Sequence, residues 1–203
     1  MPTRGMDVNR NARDGRLPSW LATVFYGALG LAGWAWAEVS GHGTYLAASR
    51  DGRALLVSVG AGILAALPLI GAGALLERRV PSLRALSREV RETFGVLRHR
   101  DVLLFALSSA VGEELLFRGA ALPTLGLPAS ALLFGLAHGF FRPPYRAWSF
   151  YATVTGVLLG ALTMWTGTLV AAVVCHATVN FASLSELVAD DAPSDGAGAE
   201  PEG

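Results

Sequence analysis

Long apolar stretches separated by short polar ones dominate the chain between residues 17 and 188. A transmembrane helix needs about 20 predominantly apolar residues, and six of the stretches approach or exceed that length. The pattern therefore predicts an all-α fold, a polytopic bundle of about six membrane-spanning segments. The predicted segments are Leu17–Ala37, Ala54–Leu76, Asp101–Leu122, Leu127–Phe141, Ala147–Trp165 and Thr168–Val188.

The fourth segment, Leu127–Phe141, is short for a spanning helix. We expect Pro143 and Pro144 to stop it, because proline cannot continue helical hydrogen bonding. A short helix is tolerated in a bundle where its end meets protein or water rather than lipid.

The polar stretch Glu77–Arg100 carries seven arginines but has a helical pattern of its own. Apolar residues recur in it at three- and four-residue intervals, namely at Val80, Leu83, Leu86, Val90, Phe94 and Leu97. Such a pattern predicts an amphipathic helix lying on the membrane surface, with a solvated linker as the alternative.

Composition supports the membrane interpretation. Hydrophobic residues make up 52% of the chain, charged residues 16%, and the mean hydropathy is +0.44. A soluble domain carries about 25% charged residues. The net charge is zero and every basic residue is an arginine, so the charge distribution indicates membrane topology and no nucleic-acid partner. Cys175 is the single cysteine, which excludes an intrachain disulfide.

The arginines also predict orientation. With six crossings, the N-terminal stretch, the 77–100 loop and the 141–146 loop all face one side, which the positive-inside rule makes cytoplasmic. The prediction is a multi-pass protein of the cell inner membrane with a cytoplasmic N-terminus. Leu17–Ala37 is interpreted as a signal anchor, with a cleaved signal peptide as the alternative.

Three regions are expected along the chain. Residues 1–16 form a disordered, Arg-rich cytoplasmic tail, residues 17–188 form the transmembrane domain with a catalytic core at 101–188, and residues 189–203 form a disordered acidic tail.

Ionisable side chains within apolar helices are costly and are functional candidates by default. The candidates are Glu113, Glu114, Arg118, His138, His176 and Asn180. Glu113 lies ten residues before Pro123, His138 ten after Pro128, and His176 nine after Gly167. At 1.5 Å per helical residue, each lies about 15 Å from the same membrane face. Residues distant in sequence thus reach a common depth.

Helical spacing relates the candidates in pairs. Glu114 and Arg118 are four residues apart, as are His176 and Asn180, so each pair shares one helix face. Each element has a structural alternative: a neutralised ion pair, a hydrogen-bonded packing histidine at His138, or interhelical hydrogen bonding by His176 and Asn180. The joint occurrence at one depth favours a functional site.

These groups suit hydrolysis. A buried glutamate can act as a general base on water, and a histidine can help to position that water. A second histidine and an amide can donate hydrogen bonds to the oxyanion of a tetrahedral intermediate. The chain lacks a Gly-x-Ser-x-Gly elbow, a His-Glu-x-x-His zinc helix and a Gly-rich phosphate loop.

At these residues the sequence resembles the CPBP family, which comprises CAAX proteases and bacteriocin-processing enzymes and is also called the ABI family. The motif Glu-Glu-x-x-x-Arg matches Glu113 to Arg118, Phe-x-x-x-His matches Phe134 to His138, and His-x-x-x-Asn matches His176 to Asn180. All three motifs occur in the family's order, over roughly residues 105–185.

The resemblance implies a glutamate-dependent intramembrane endopeptidase. Glu113 and His138 would activate water, Arg118 would orient Glu114, and His176 with Asn180 would form the oxyanion hole. No cofactor is expected. A zinc-dependent protease is an alternative, since two histidines and a glutamate can bind zinc with one open position.

The resemblance also implies partners. They are membrane lipids and a membrane-anchored protein or peptide substrate, for which a C-terminal sorting tail, as processed by a myxosortase-like bacterial member, is the leading candidate. The six segments are fewer than the eight of larger members, so the substrate cavity is expected to be smaller or completed by a partner. Two other functions stay open: a non-catalytic immunity or scaffold protein, and a small transporter with Glu113 and His138 as a proton relay.

Overall fold

The computed structural model describes residues 19–46, 51–94 and 98–189, and all regular structure in these ranges is helical. The all-α prediction is therefore confirmed. Seven helices follow one another: α1 (Ser19–Val39), α2 (Gly52–Arg79), α3 (Pro81–Phe94), α4 (His99–Glu114), α5 (Leu127–Ala137), α6 (Arg146–Thr166) and α7 (Val170–Ala189). The α4 helix continues through a π-helical segment, Leu115–Ala121, and a last α-helical turn, Leu122–Leu125.

Glycines allow α1 to lie directly against α4. A Cβ atom added at Gly112 would collide with the backbone carbonyl of Tyr26, and one added at Gly33 would lie 2.5 Å from Cα of Leu116. Such separations are too short for any side chain, so only glycine permits this approach. The contact of Tyr26 with Gly112 is followed, further along both helices, by that of Gly33 with Leu116. Helices α1 and α4 therefore run in the same direction. Helix α1 is thus packed against the residue that precedes Glu113.

Helices α2, α6 and α7 enclose the main apolar core. Its buried residues are Ala66, Leu69, Leu159, Leu162, Ala171, Ala172, Cys175 and Val179. The Tyr151 hydroxyl on α6 donates a hydrogen bond of 2.9 Å to the Leu69 carbonyl on α2. This core holds α7, which carries His176 and Asn180, firmly against its neighbours.

Helices α5 and α6 pack side by side in opposite directions. A Cβ added at Gly135 would lie 2.7 Å from the Ser149 carbonyl oxygen, while one added at Gly160 would collide with Leu127. Gly135 near the end of α5 thus meets Ser149 near the start of α6, and Gly160 further along α6 meets Leu127 at the start of α5. This close pairing brings Phe134, near the end of α5, against the middle of α6.

The loops divide between two ends of the bundle. At one end, the Leu169 amide donates to the Tyr45 carbonyl at 3.3 Å. At the other end, Arg142 Nη2 lies 3.4 Å from Glu89 Oε1, which joins the 143–145 turn to α3. The Arg-rich stretches 77–100 and 141–146 therefore lie at the same end, as their predicted orientation requires.

Glu89 is an exposed carboxylate held at that end by neighbouring donors. Hydrogen bonds from Tyr145, together with the charge and hydrogen bond of Arg142, keep the pKa of Glu89 below its usual value. The carboxylate is thereby stabilised as an anion beside the Arg142 guanidinium.

The outward faces of the helices are apolar. Leu31 on α1, Leu56 on α2 and Phe150 on α6 are 68%, 74% and 73% exposed. Two stretches, Gly52–Arg79 and Pro143–Thr166, are long and apolar enough to cross a membrane. The six-segment topology as a whole stays a prediction.

Several predicted boundaries were wrong. Helix α5 ends at Ala137 rather than Phe141, because Gly139 adopts a φ of 92°, while Pro143 and Pro144 begin a separate 3-10 turn. The third segment extends beyond Leu122 to Leu125 and ends at Gly126, which has a φ of 84°.

The amphipathic stretch was also predicted too long. Pro81 restricts Val80 to an extended conformation, with φ −110° and ψ 108°, so α2 ends at Arg79 and α3 covers only Pro81–Phe94. The predicted tails at 1–16 and 189–203 lie outside the described residues, apart from Ala189.

Candidate active site

The two adjacent glutamates stand where α4 changes from an α-helix to a π-helix. The π segment begins at Leu115, directly after Glu114, and includes Arg118. π-Helical turns are rare and occur frequently at functional sites. The widened turn changes the direction in which the following side chains point, so Arg118 is not placed as on a regular α-helix.

Glu114 and Arg118 form the predicted pair, and both are buried. Arg118 Nη1 donates to Glu114 Oε1 at 2.8 Å, and the two side chains are 1% and 0% exposed. Arg118 Nη2 donates to the Gly156 carbonyl at 3.2 Å, and its guanidinium carbon lies 4.2 Å from the centre of the Phe134 ring. The arginine therefore joins α4, α5 and α6 around one neutralised charge.

His176 joins this pair from α7. Its Nδ1 atom lies 2.8 Å from the same Oε1 atom of Glu114 that Arg118 contacts. A carboxylate only accepts hydrogen bonds, so Nδ1 carries the proton. The orientation of the ring is thereby set, and its Nε2 atom points towards Glu113.

Glu113 lies between two imidazole rings. Its Oε2 atom is 3.8 Å from Nε2 of His138 and 3.9 Å from Nε2 of His176. Oε2 is buried and has no hydrogen-bond partner among the described residues. Both distances exceed a direct hydrogen bond and suit a single bridging water.

His138 follows the last residue of α5 and caps that helix. Its Nδ1 atom lies 2.6 Å from the Phe134 carbonyl oxygen, so Nδ1 donates and Nε2 is left free to accept. The ring packs at 4.5 Å between centroids on Phe134 and at 5.9 Å on Trp148. Because α5 ends at Ala137, the His138 side chain is directed towards Glu113.

Asn180 contributes from one turn further along α7. Its Nδ2 atom donates to Ser109 Oγ on α4 at 2.9 Å. Ser109 is 1% exposed, whereas Asn180 is half-buried. The amide is therefore held on one side and accessible on the other.

A cavity of about 750 Å³ connects the site to the arginine-rich end of the bundle. At its inner part lie Glu113, His138, His176 and Asn180, and at its outer part the end of α2 and the apolar face of α3. Residues of α3 that line it include Leu83, Leu86 and Val90. A substrate can thus reach the buried carboxylate from the end of the bundle that α3 covers.

The structure brings all six predicted side chains to one region. The sequence reasoning missed Ser109, the Gly156 carbonyl and Tyr26, whose ring lines the cavity beside Glu113. Ser109 lies four residues before Glu113, so it could have been found as a polar residue on the same helix face. No sequence signal identifies Gly156 or Tyr26.

The same groups include possible ligands for a metal ion. Glu113, His138 and His176 are the donors that a zinc ion would use. Bonds of about 2.0–2.1 Å in a tetrahedral site would bring neighbouring donor atoms to within roughly 3.4 Å. The observed distances are 3.8 and 3.9 Å. Among the described residues, no group of three or more His, Cys, Asp or Glu side chains is arranged to hold a metal ion.

Buried ionisable groups that converge on a cavity in an apolar helical bundle define a functional site within a membrane protein. Residues 99–182 match the family described as Rce1-like, type II CAAX prenyl endopeptidase. Residues 99–182 are therefore a domain of the CPBP family of glutamic intramembrane peptidases, and the protein that carries it is a membrane protein. The matched segment contains all six predicted site residues. No curated protein and no solved structure matches the chain.

Proposed function

We propose that the protein is an intramembrane endopeptidase that hydrolyses a peptide bond of a membrane-anchored protein. One observation carries the proposal: the buried Oε2 atom of Glu113 lies 3.8 and 3.9 Å from the Nε2 atoms of His138 and His176. Family membership supports the peptidase assignment. Because Oε2 of Glu113 has no hydrogen-bond donor among the described residues, it is free to accept a proton from water.

Water activation falls to Glu113 and His138. A water molecule between them donates one hydrogen to Glu113 and the other to Nε2 of His138, whose Nδ1 proton is engaged with the Phe134 carbonyl. Glu113 takes the first proton as the water oxygen attacks the scissile carbonyl carbon. The same carboxyl then returns that proton to the departing amine, so the carboxylate is regenerated.

Oxyanion stabilisation falls to His176 and Asn180. Nδ1 of His176 donates to Glu114, so Nε2 can donate to an oxyanion only when the ring is an imidazolium. The Glu114 carboxylate, 2.8 Å from Nδ1, would stabilise the positive charge of that ring. The amide of Asn180 supplies the second hydrogen bond.

The substrate class follows from the cavity and its surroundings. An apolar cavity reached from the surface of a bundle with apolar outward faces suits a polypeptide that is itself anchored in the bilayer. We propose a C-terminal sorting tail as that substrate, with membrane lipids around the bundle.

The proposed setting is the cell inner membrane. Six helices, α1, α2, α4, α5, α6 and α7, cross it, α3 lies at its surface, and the N-terminus is cytoplasmic. The alternating helix directions and the location of both described Arg-rich stretches at one end support this topology.

The experiment that tests the function compares Glu113→Gln with Glu186→Gln. Both glutamates line the cavity, but Glu186 is exposed and has no role in the proposed chemistry. Each variant is co-expressed with a library of tail-anchored reporters, and cleavage products are identified by mass spectrometry. Glu113→Gln should abolish cleavage at normal protein level, while Glu186→Gln should cleave as the wild type does. Wild-type turnover by Glu113→Gln would rule out the glutamate mechanism.

A further inference from the structure

Ser109 is a buried polar residue on the helix that carries the two glutamates. It lies four residues before Glu113, on the same face of α4. Its Oγ atom accepts a hydrogen bond of 2.9 Å from Asn180 Nδ2 and donates one of 3.3 Å to the Ala106 carbonyl. Ser109 thus connects the α4 backbone to the α7 amide.

The direction of these bonds decides how the Asn180 amide is turned. A hydroxyl has one proton, and the Ser109 proton is directed at the Ala106 carbonyl. Its oxygen can then only accept, so the amino group of Asn180, rather than its carbonyl oxygen, faces Ser109. An amide carries two N–H groups, and the second is left for the cavity that Asn180 lines.

We propose that Ser109 is a positioning residue, which holds the Asn180 amide with its second N–H directed at the oxyanion. The proposal rests on the proposed function of the site. Ser109 does not touch the substrate; it sets the orientation of a group that does. Without it, the amide can rotate and present its carbonyl oxygen, which would repel the developing negative charge.

A variant at the neighbouring Ser108 is the control that distinguishes a positioning role from a purely structural one. Its hydroxyl makes the equivalent bond within the helix, to the Phe105 carbonyl at 3.3 Å, and its only described side-chain hydrogen bond is that one. Ser108 therefore controls for the loss of a serine hydroxyl from α4 without any effect on Asn180.

The test measures kcat, KM and the thermal unfolding midpoint of Ser109→Ala, Ser108→Ala, Asn180→Ala and the Ser109→Ala/Asn180→Ala double variant, on a reporter cleaved by the wild type. Loss of one positioning hydrogen bond should lower the kcat of Ser109→Ala about tenfold, with KM little changed. Ser109→Thr, which keeps the hydroxyl, should recover most of that kcat. The double variant should be no slower than Asn180→Ala alone, because Ser109 acts only through Asn180.

Three outcomes would overturn the inference. They are wild-type kcat for Ser109→Ala, an equal fall in kcat for Ser108→Ala, or multiplicative losses in the double variant. The Glu113→Gln variant separates this failure from failure of the proposed function. If that variant is inactive while Ser109→Ala is normal, only the role of Ser109 is wrong. If it cleaves like the wild type, or if no reporter is cleaved by the wild type, the function and the inference fall together.

Discussion

Nδ1 of His176 lies 2.8 Å from Oε1 of Glu114, the same oxygen that accepts a hydrogen bond from Nη1 of Arg118. This contact makes Glu114 the centre of the charged cluster, although Glu113 is the carboxylate proposed to react. Glu114 orients the imidazole, and in the proposed mechanism it also stabilises the positive charge that the ring needs to donate to the oxyanion. The second glutamate is therefore a positioning group as well as the partner of Arg118.

Arg118→Ala tests the buried ion pair. Removal of one partner strands the other charge in the protein interior, which costs about 3–5 kcal/mol of stability. We expect a clear fall in the thermal midpoint and in accumulation, together with loss of activity. Arg142→Ala is the control, because Arg142 forms a solvent-exposed pair with Glu89, and exposed ion pairs contribute little to stability. An Arg118→Ala protein that is inactive yet fully stable would instead assign the arginine to substrate binding.

Asn180→Ala tests the oxyanion hole. Loss of one such donor lowers turnover roughly 10²–10³-fold, or about 3–4 kcal/mol, because the hydrogen bond matters mainly in the transition state. Steady-state kinetics should therefore give a reduced kcat and a nearly unchanged KM. Thr178→Ala on the same helix should be close to wild type, because the hydrogen bond described for its hydroxyl is to the Val174 carbonyl of its own helix. A raised KM with normal kcat for Asn180→Ala would place the amide in ground-state binding.

Metal analysis separates the two hydrolytic mechanisms. If Glu113, His138 and His176 act without a metal, active detergent-purified protein should contain far less than one zinc per chain. Prolonged chelation should then leave turnover unchanged, because there is no bound metal for the chelator to remove. Elemental analysis of the same samples before and after chelation provides the measurement. Stoichiometric zinc, with activity lost on chelation and restored on re-addition, would establish the metal-dependent alternative.

Gly112→Ala tests the contact between α1 and α4. The added methyl group would meet the Tyr26 backbone, which cannot move without shifting α1, so we expect a loss of about 1–3 kcal/mol in stability. Gly27→Ala on α1 is the matched control, because no described atom beyond its chain neighbours and its own helix backbone lies within 4 Å of the added Cβ. Its thermal midpoint should be unchanged or slightly higher, as alanine favours the helix more than glycine does. Equal effects of the two substitutions would mean that the close approach of α1 does not contribute to stability.

The periodicity and polarity of the sequence determined the helical class and the candidate groups. Apolar runs predicted the helices of the described bundle, because a bilayer-length helix requires them. Isolated polar residues within those runs identified Glu113, His138 and His176, since such residues are costly without a role. The Glu114–Arg118 pair could also be predicted, because residues four apart on one helix are neighbours whatever surrounds them. Sequence spacing was sufficient to predict which side chains share a helix face, but it did not predict the π segment after Glu114 or the end of α5.

Contacts between helices were decided only by the tertiary structure. Three contacts join residues on different helices: Asn180 with Ser109, Arg118 with the Gly156 carbonyl, and His176 with Glu114. Matched depth suggested that Glu113, His138 and His176 could meet, but depth leaves the rotation of each helix about its axis undetermined. That rotation is set by close contacts such as Gly112 against Tyr26, which depend on the shapes of both partners. Spacing along one chain segment carries no information about the shape of another, so the geometry of the site could be obtained only from the folded bundle.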